Sequence, residues 1–189
     1  SKIIIHKDLY EKFKKKLISE VNKLTVGNKE SDFLGPVINE RLYKRQIEIL
    51  RKYKDYIIVG NKNFNKKNNQ GFKIFPTIIE NSPKNKDLFY DELFGPIAIL
   101  IKVKDINEAI KTSNDSFYGL TSAIHTRNID KMKLFIKNIR SGVCNVNTGT
   151  HGSEPHFPFG GLKESGNGTR EPGETAIDIY TNLKNISIK

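Results

Sequence analysis

The sequence contains no tryptophan, a single cysteine and no long uninterrupted apolar run. A single cysteine excludes an internal disulfide framework and suits a reducing cytoplasm. Because no segment approaches about eighteen consecutive apolar residues, we expect no transmembrane helix. The composition is nevertheless that of a folded protein, since 37% of the residues are hydrophobic and 10% are aromatic.

Arginine is also sparse, although 32 basic against 21 acidic side chains give a net charge of +11. Most of the excess is lysine scattered over helix faces, as in YEKFKKKLISEVNKL. Arginine is the side chain that forks onto phosphate and reads guanine. We therefore do not expect nucleic acid as the partner, and a basic RNA- or DNA-binding module is kept only as a second alternative.

The patterning predicts one α/β domain over residues 1–189, with a mostly parallel open sheet and flanking helices. Strand, helix, strand, helix and strand follow one another from residue 97 to 147, which is typical of right-handed βαβ crossovers. The run GPIAILIKV is apolar almost throughout, which favours a parallel strand covered on both faces. Helix starts are predicted at three side-chain caps: Asp8, Asn39 and Asp105.

Three segments around these elements are harder to assign. In GFKIFPTIIE, Pro76 interrupts a strand-like run, so we expect an edge strand or two pieces. The Asn- and Lys-rich insert that follows Gly60 is expected to be an exposed loop or the tip of a hairpin. The last segment, IYTNLKNISIK, is predicted to be a terminal strand.

The segment FPFGGLKESGNGTREPG has too many glycines and prolines for a helix or a strand. Gly161 and Gly166 have the spacing of a P-loop, but Asn167 stands where the lysine must be. GNGTRE has only the first two glycines of a dinucleotide fingerprint. Both phosphate-binding interpretations therefore fail.

Two further groups of residues invite a catalytic or metal-binding interpretation. His151 and His156 flank Glu154, but the segment lacks helical periodicity and an evident fourth ligand, so no metal site is expected. Cys144 lies inside the apolar run GVCNVN, with no histidine in its own segment to activate it. A buried structural thiol is therefore favoured over a nucleophile.

The stretch YDELFGPIAIL places Asp91 and Glu92 just before a buried strand, followed by Phe94 and a Gly-Pro turn. Ligands bind at strand mouths in open α/β sheets, and a carboxylate there can hold a ribose diol. The alternative is a surface loop whose acidic side chains have no ligand. The residues alone favour neither the binding site nor the surface loop.

Four stretches together resemble the aldehyde dehydrogenase superfamily, in the same order and at similar spacing: GFKIFPTII, DELFGPIAIL, SNDSFYGLTSAIHT and NVNTGTHGSEPHFPFGGLKESGNGTREPG. The last is most similar to the branch that contains antiquitin, the α-aminoadipic semialdehyde dehydrogenase. Related archaeal and bacterial semialdehyde dehydrogenases are also similar. The resemblance implies the C-terminal portion of the catalytic domain, without its Rossmann-type cofactor domain.

The resemblance also implies roles for particular residues. Glu92 matches the residue that holds the nicotinamide ribose hydroxyls, and Phe94 the one that packs near the nicotinamide ring. Phe159, Gly160 and Gly161 match the loop that shapes the substrate pocket. Glu154 and His156 lie in the variable loop that tunes substrate choice. The cofactor would be NAD or NADP, and we do not expect this chain alone to bind it firmly.

The family's catalytic residues are not matched within this chain. In the family, a cysteine attacks the aldehyde, hydride passes to NAD(P), and a glutamate-activated water hydrolyses the thioester. That cysteine lies shortly before the segment similar to SKIIIHKDLYEKF, and the glutamate lies further upstream. We therefore expect the chain alone not to oxidise aldehydes.

Three accounts of such a chain are open at this point. It is one half of a split enzyme, a scaffold or regulator of full-length subunits, or an excised fragment. The expected partners are accordingly further copies of itself, as a homo-oligomer, or a complementing aldehyde dehydrogenase chain.

Overall fold

The computed structural model describes residues 1–60, 71–80 and 86–189. The contacts fall into two compact units, residues 1–109 and 110–189. The Asn- and Lys-rich insert, residues 61–70, lies outside the described residues, so its assignment as an exposed loop stays a prediction. The assignment of the whole chain to one domain stays a prediction as well.

The elements of the first unit are β1 (Lys2–His6), α1 (Lys7–Val21), α2 (Glu40–Lys52), β2 (Ile57–Val59), β3 (Thr77–Glu80) and β4 (Ile97–Val103), with short helical turns at Lys54–Tyr56 and Lys86–Tyr90. The strands form a four-stranded sheet in the order β1-β4-β3-β2. Strands β1 and β3 both pair parallel with β4, and β2 pairs antiparallel with β3. The mostly parallel sheet that the sequence predicts is therefore confirmed.

Both faces of this sheet are covered, because successive side chains of a strand point to opposite sides. Ile97 and Ile99 pack into the apolar cluster that contains the buried residues of α2. Leu100 packs instead with Tyr10 of α1. The prediction that the apolar run of β4 is a parallel strand covered on both faces is confirmed.

The prediction of an edge strand around Pro76 is wrong. Strand β3 lies between β4 and β2, and all four of its residues are buried. Pro76 stands immediately before the first residue of the strand, where its missing N–H removes no bond from the ladder. The segment before Pro76 forms no strand.

Two of the three predicted helix caps are confirmed. The side chains of Asn39 and Asp105 accept hydrogen bonds from the N–H groups three residues further on, at 2.9 and 2.8 Å. The cap of α1 is not Asp8 but His6, whose Nδ1 accepts a hydrogen bond from the Asp8 N–H at 3.3 Å. Strand β1 runs directly into the helix, so the helix starts earlier and Asp8 lies in its first turn.

The remaining elements are α3 (Ile106–Asn114), which crosses the division between the units, β5 (Tyr118–Gly119), β6 (Thr121–Ile124), α4 (Ile129–Asn138), β7 (Val143–Val146), β8 (Leu162–Lys163), a 3-10 turn (Glu174–Ala176) and α5 (Ile177–Tyr180). The strands of the second unit form two small two-stranded sheets. Strands β6 and β7 are parallel, with α4 between them in the chain, so this βαβ unit is as predicted. Strand β4, in contrast, belongs to the four-stranded sheet and does not pair with β6.

The predicted terminal strand is not formed. The first two residues of the segment, Ile179 and Tyr180, end helix α5, and residues 181–189 belong to no helix or strand. Its apolar side chains face solvent, with Leu183, Ile186 and Ile188 exposed by 70% or more. Among the described helices, none is long and apolar enough to cross a membrane.

A buried carboxylate ties α1 to the sheet. Glu80, at the end of β3, is 8% exposed and accepts hydrogen bonds from Tyr10 Oη at 2.6 Å and from Lys14 Nζ at 2.5 Å. Burial alone would raise the pKa of Glu80, but the bonds from Lys14 and Tyr10 outweigh it and the pKa is lowered. Burial and then the bond to Glu80 raise the pKa of Tyr10.

We predict that Tyr10→Phe lowers the free energy of unfolding by about 1–3 kcal/mol at neutral pH, because the buried carboxylate loses a donor. A carboxyl whose folded pKa is lowered contributes stability above its unfolded pKa, and that contribution is lost as the pH falls through the folded pKa. The difference between wild type and variant should therefore shrink in acid. Urea unfolding followed by circular dichroism at neutral and acid pH measures both effects.

The matched control is Tyr180→Phe, since Tyr180 is 77% exposed and its Oη lies 3.4 Å from an exposed Glu171 carboxylate. This change should leave the free energy of unfolding within about 0.5 kcal/mol of wild type. Equal losses in the two variants would contradict the structural role of the Glu80 carboxylate.

Candidate functional site

The loop Asp91–Pro96 connects the helical turn at Lys86–Tyr90 to β4. It lies at the amino end of this parallel strand. Ligands in open α/β sheets bind characteristically outside the carboxyl ends, so that general rule does not support a site here. Support has to come from the geometry of the loop itself.

Buried and exposed side chains alternate in this loop. Leu93 is 4% exposed and packs in the core, whereas Phe94 is 70% exposed and Glu92 is also exposed. The Glu92 carboxylate accepts no hydrogen bond from the residues that the structure describes. A hydrogen-bond acceptor and an apolar ring are therefore presented two residues apart, on either side of an anchored leucine.

Two consecutive residues of α2 hold the backbone of this loop. Arg45 donates to the Glu92 carbonyl at 3.3 Å and to Asp91 Oδ2 at 3.2 Å. Gln46 Nε2 donates to the carbonyls of Leu93 and Phe94, at 3.3 and 3.2 Å. Four consecutive loop residues are thus bonded to one helix, so the loop is fixed although two of its side chains face solvent.

The loop also lies beside the amino end of β1. The Ile99 N–H of β4 donates to the Ser1 carbonyl at 3.0 Å, and β1 pairs parallel with β4 from Lys2 onward. The amino ends of the two strands are therefore adjacent, and the loop enters β4 at that end.

In the second unit, the glycine-rich loop is bound closely to its surroundings. Lys163 Nζ donates to the carbonyls of Asn114 and Ser116, at 2.8 and 2.9 Å, at the end of α3. Ser165 Oγ accepts a hydrogen bond from the Gly119 N–H at 3.0 Å. The loop is a shaped structure, as its resemblance implies, and not a linker.

The predicted pocket residues Phe159, Gly160 and Gly161 lie within this shaped loop. Phe159 and Glu171 exchange two backbone hydrogen bonds, at 3.0 and 2.8 Å. A Cβ at Gly142, just before β7, would lie 1.7 Å from the Gly160 carbonyl oxygen. The close approach of these backbones therefore requires glycine at position 142.

The predicted variable-loop residues Glu154 and His156 are exposed. His156 lines an open cavity of about 520 Å³ together with Pro158, Gly173, Glu174 and Thr175. The His156 ring packs against Phe157, with ring centroids 4.2 Å apart and the ring planes tilted by 49°. Of the two predicted residues, His156 is thus the one that borders a space large enough for a small molecule.

Cys144 has the surroundings of a structural thiol. It lies half-buried on β7, paired in register with Ser122 of β6. Burial raises the pKa of the Cys144 thiol, and a hydrogen bond with Ser122 only offsets part of this. A thiol held protonated in this way is a poor nucleophile. In the described part of the chain, no group of three or more His, Cys, Asp or Glu side chains could hold a metal ion.

The seven predicted site residues fall into two groups, one in each unit. Glu92 and Phe94 share the loop before β4, and the other five lie between residues 154 and 161. Sequence reasoning missed Arg45 and Gln46, which hold the first group in place. One signal was present: Gln46 occupies a position in the apolar stripe of α2, beside the buried Ile49 and Leu50.

Comparison with known proteins finds similarity to one protein family along nearly the whole chain. The sequence profile of the Aldehyde dehydrogenase family matches residues 1–186. The α-ketoglutaric semialdehyde dehydrogenase of Bacillus subtilis is 34% identical over all of this chain, and the 2,5-dioxopentanoate dehydrogenase of Saccharolobus solfataricus is 36% identical over 98% of it. None of these findings concerns the narrower antiquitin branch, which stays a prediction.

A solved structure agrees with these matches. The succinic semialdehyde dehydrogenase of Streptococcus pyogenes, in complex with NADP+, superposes on the full chain with a TM-score of 0.88 at 28% identity. This chain covers 41% of that structure, and 40% and 39% of the two curated relatives. It therefore spans about 40% of the length of the proteins it matches.

Proposed function

We propose that this chain, which belongs to the aldehyde dehydrogenase family, forms the nicotinamide-side wall of a site where an aldehyde is oxidised with NAD or NADP. The observation that carries the proposal is the fixed loop with an exposed Glu92 carboxylate and an exposed Phe94 ring. These are the two residues that the family resemblance assigns to the cofactor. The residues present therefore fit the nicotinamide riboside end of the cofactor.

The chemistry of the two side chains suits a positioning role. A carboxylate accepts hydrogen bonds from both hydroxyls of a ribose diol, which fixes the sugar in one orientation. The apolar Phe94 ring beside the carboxylate would exclude water from the nicotinamide ring of a bound cofactor. The cofactor, when bound, supplies the hydride acceptor, and this chain supplies orientation without taking part in covalent chemistry.

We further propose that the covalent steps need residues outside this chain. Its one cysteine, Cys144, has a pKa raised by burial and lies in a strand. The coverage of the relatives supports the proposal, because this chain spans only 40% and 39% of the two curated dehydrogenases and most of each has no counterpart here.

The substrate that we propose is a semialdehyde with a carboxylate at its far end. The names of three similar proteins support this class: α-ketoglutaric semialdehyde, 2,5-dioxopentanoate and succinic semialdehyde dehydrogenases. A net charge of +11 favours the approach of an anionic substrate. Within the variable loop, His156 borders an open cavity and is the residue that we expect to tune this choice.

We predict that the purified chain alone does not reduce NAD or NADP with a panel of aldehydes and semialdehydes. The reason is that its one cysteine is half-buried and burial raises the pKa of the thiol, which disfavours the thiolate needed for attack. Absorbance at the wavelength of the reduced nicotinamide measures turnover, first with the chain alone and then with a lysate of its source added. Activity in excess of the lysate alone would support a completing chain.

Two outcomes separate the alternatives. Turnover by the chain alone that is abolished by Cys144→Ala would contradict our assignment of the nucleophile to another segment. No activity under either condition would favour a scaffold or regulatory role. The exposed apolar tail, residues 181–189, is the observation that keeps this second function in consideration. A cytoplasmic location stays a prediction.

We also expect the chain to self-associate. Strand β1 is an edge of the four-stranded sheet, and the tail exposes Leu183, Ile186 and Ile188. Unpaired strand edges and exposed apolar segments both favour association. Light scattering at micromolar concentration should give a mass above the monomer's 21.6 kDa. A monomeric mass for the full chain, unchanged on deletion of residues 181–189, would contradict this expectation.

A further inference from the structure

A carboxamide is buried in the apolar core of the first unit. Gln46 is 0% exposed, next to the buried Ile47, Ile49 and Leu50 of the same helix. An amide in such surroundings is costly unless it is hydrogen-bonded. Both of its bonds go to one place, the carbonyls of Leu93 and Phe94, so the amide serves that loop and not its own helix.

The orientation of this amide follows from its partners. An NH2 group donates to two carbonyls, whereas the reversed amide would set an oxygen against both. The other atom, Oε1, is buried and accepts no hydrogen bond from the described residues. The hydrogen bonds of the buried amide are therefore those that its NH2 group donates to the loop.

The two carbonyls that Gln46 holds are joined by the backbone of Phe94. Successive carbonyls of an extended chain point to opposite sides, so a single NH2 group cannot bind both. Phe94 instead has φ = 50°, in the left-handed region that a bulky residue rarely occupies. Binding both carbonyls restrains the two backbone dihedral angles of Phe94 and so the direction in which its Cα–Cβ bond leaves the loop.

Gly95 completes the fit between the loop and the amide. A Cβ at this position would lie 2.0 Å from Gln46 Nε2 and 2.1 Å from Oε1. The turn therefore lies directly on the carboxamide, and only glycine permits that approach.

We infer that Gln46 is the positioning residue of the cofactor-binding loop: its buried amide holds Phe94 in the left-handed conformation that presents the ring and the Glu92 carboxylate together. The part of this inference that concerns the cofactor rests on the proposed function. The part that concerns the conformation of the loop does not.

The first test compares Gln46→Met with Glu48→Met, which places the same residue on an exposed position of α2. Methionine keeps the length and helix propensity of glutamine and has no donor. In spectra of the 15N-labelled chain, the amide signals of Leu93, Phe94 and Gly95 should shift or broaden in Gln46→Met and stay in place in Glu48→Met. Unchanged loop signals in a folded Gln46→Met chain would overturn the inference.

A second variant changes the loop side of the contact between Gly95 and Gln46, and it serves as the test if Gln46→Met does not fold. Gly95→Ala should displace the Gln46 side-chain NH2 signals, because the new methyl group and the amide cannot share the space. Gly35→Ala is the matched control, since nothing lies within 4 Å of a Cβ there. If Gly95→Ala leaves the NH2 signals at their wild-type positions, the contact does not exist and the inference falls.

The cofactor part is tested with nicotinamide mononucleotide at a temperature where every variant is fully folded. The dissociation constant for nicotinamide mononucleotide should rise about tenfold in Gln46→Met, because this variant loses a buried hydrogen-bonded group. It should stay unchanged in Glu48→Met. Equal affinity in wild type and Gln46→Met would overturn the positioning role. If wild type fails to bind, the proposed function of the loop fails, and the loop signals alone decide the inference about conformation.

Discussion

Strand β4 is buried on both faces and paired in parallel on both edges, and the rest of the first unit depends on this constraint. Its alternate residues face α1 and α2, so each helix has a fixed register against the sheet. The loop that enters β4 must therefore pass over the side of α2, where Arg45 and Gln46 bind three successive carbonyls. In this way a packing requirement of the core sets the position of two exposed side chains, Glu92 and Phe94.

Much of the fold follows from local signals. The apolar run of β4 and the caps at Asn39 and Asp105 depend on residues within a few positions of each other, and they were predicted correctly. The errors have non-local causes. Pro76 predicts an edge strand, yet β3 is an interior strand. The proline is tolerated because it lies one residue before β3, where its missing N–H takes no hydrogen bond from the sheet. The C-terminal run has the composition of a strand, but a strand also needs a neighbour to pair with, and residues 181–189 pair with no strand of the described chain.

The candidate site was predicted only in part, again for physical reasons. Resemblance to a family singled out Glu92, Phe94 and the loop at Phe159–Gly161 as candidates, because short motifs carry those residues. It could not identify Gln46, whose role depends on a contact 47 residues away along the chain. A glutamine in an apolar stripe is a visible anomaly, but its partner is evident only once the helix and the loop are placed side by side. Buried polar residues that serve another element are thus the feature that sequence reasoning misses most readily.

The central claim is that the loop before β4 contacts the nicotinamide riboside end of the cofactor. The most direct measurement is a titration of the 15N-labelled chain with nicotinamide mononucleotide, with Glu92→Gln as the variant. We expect millimolar affinity, weak because this loop is only one wall of the site, and signal shifts centred on residues 92–95 that are lost in the variant. Shifts confined to the second unit, or shifts around residues 92–95 that persist unchanged in Glu92→Gln, would contradict the account.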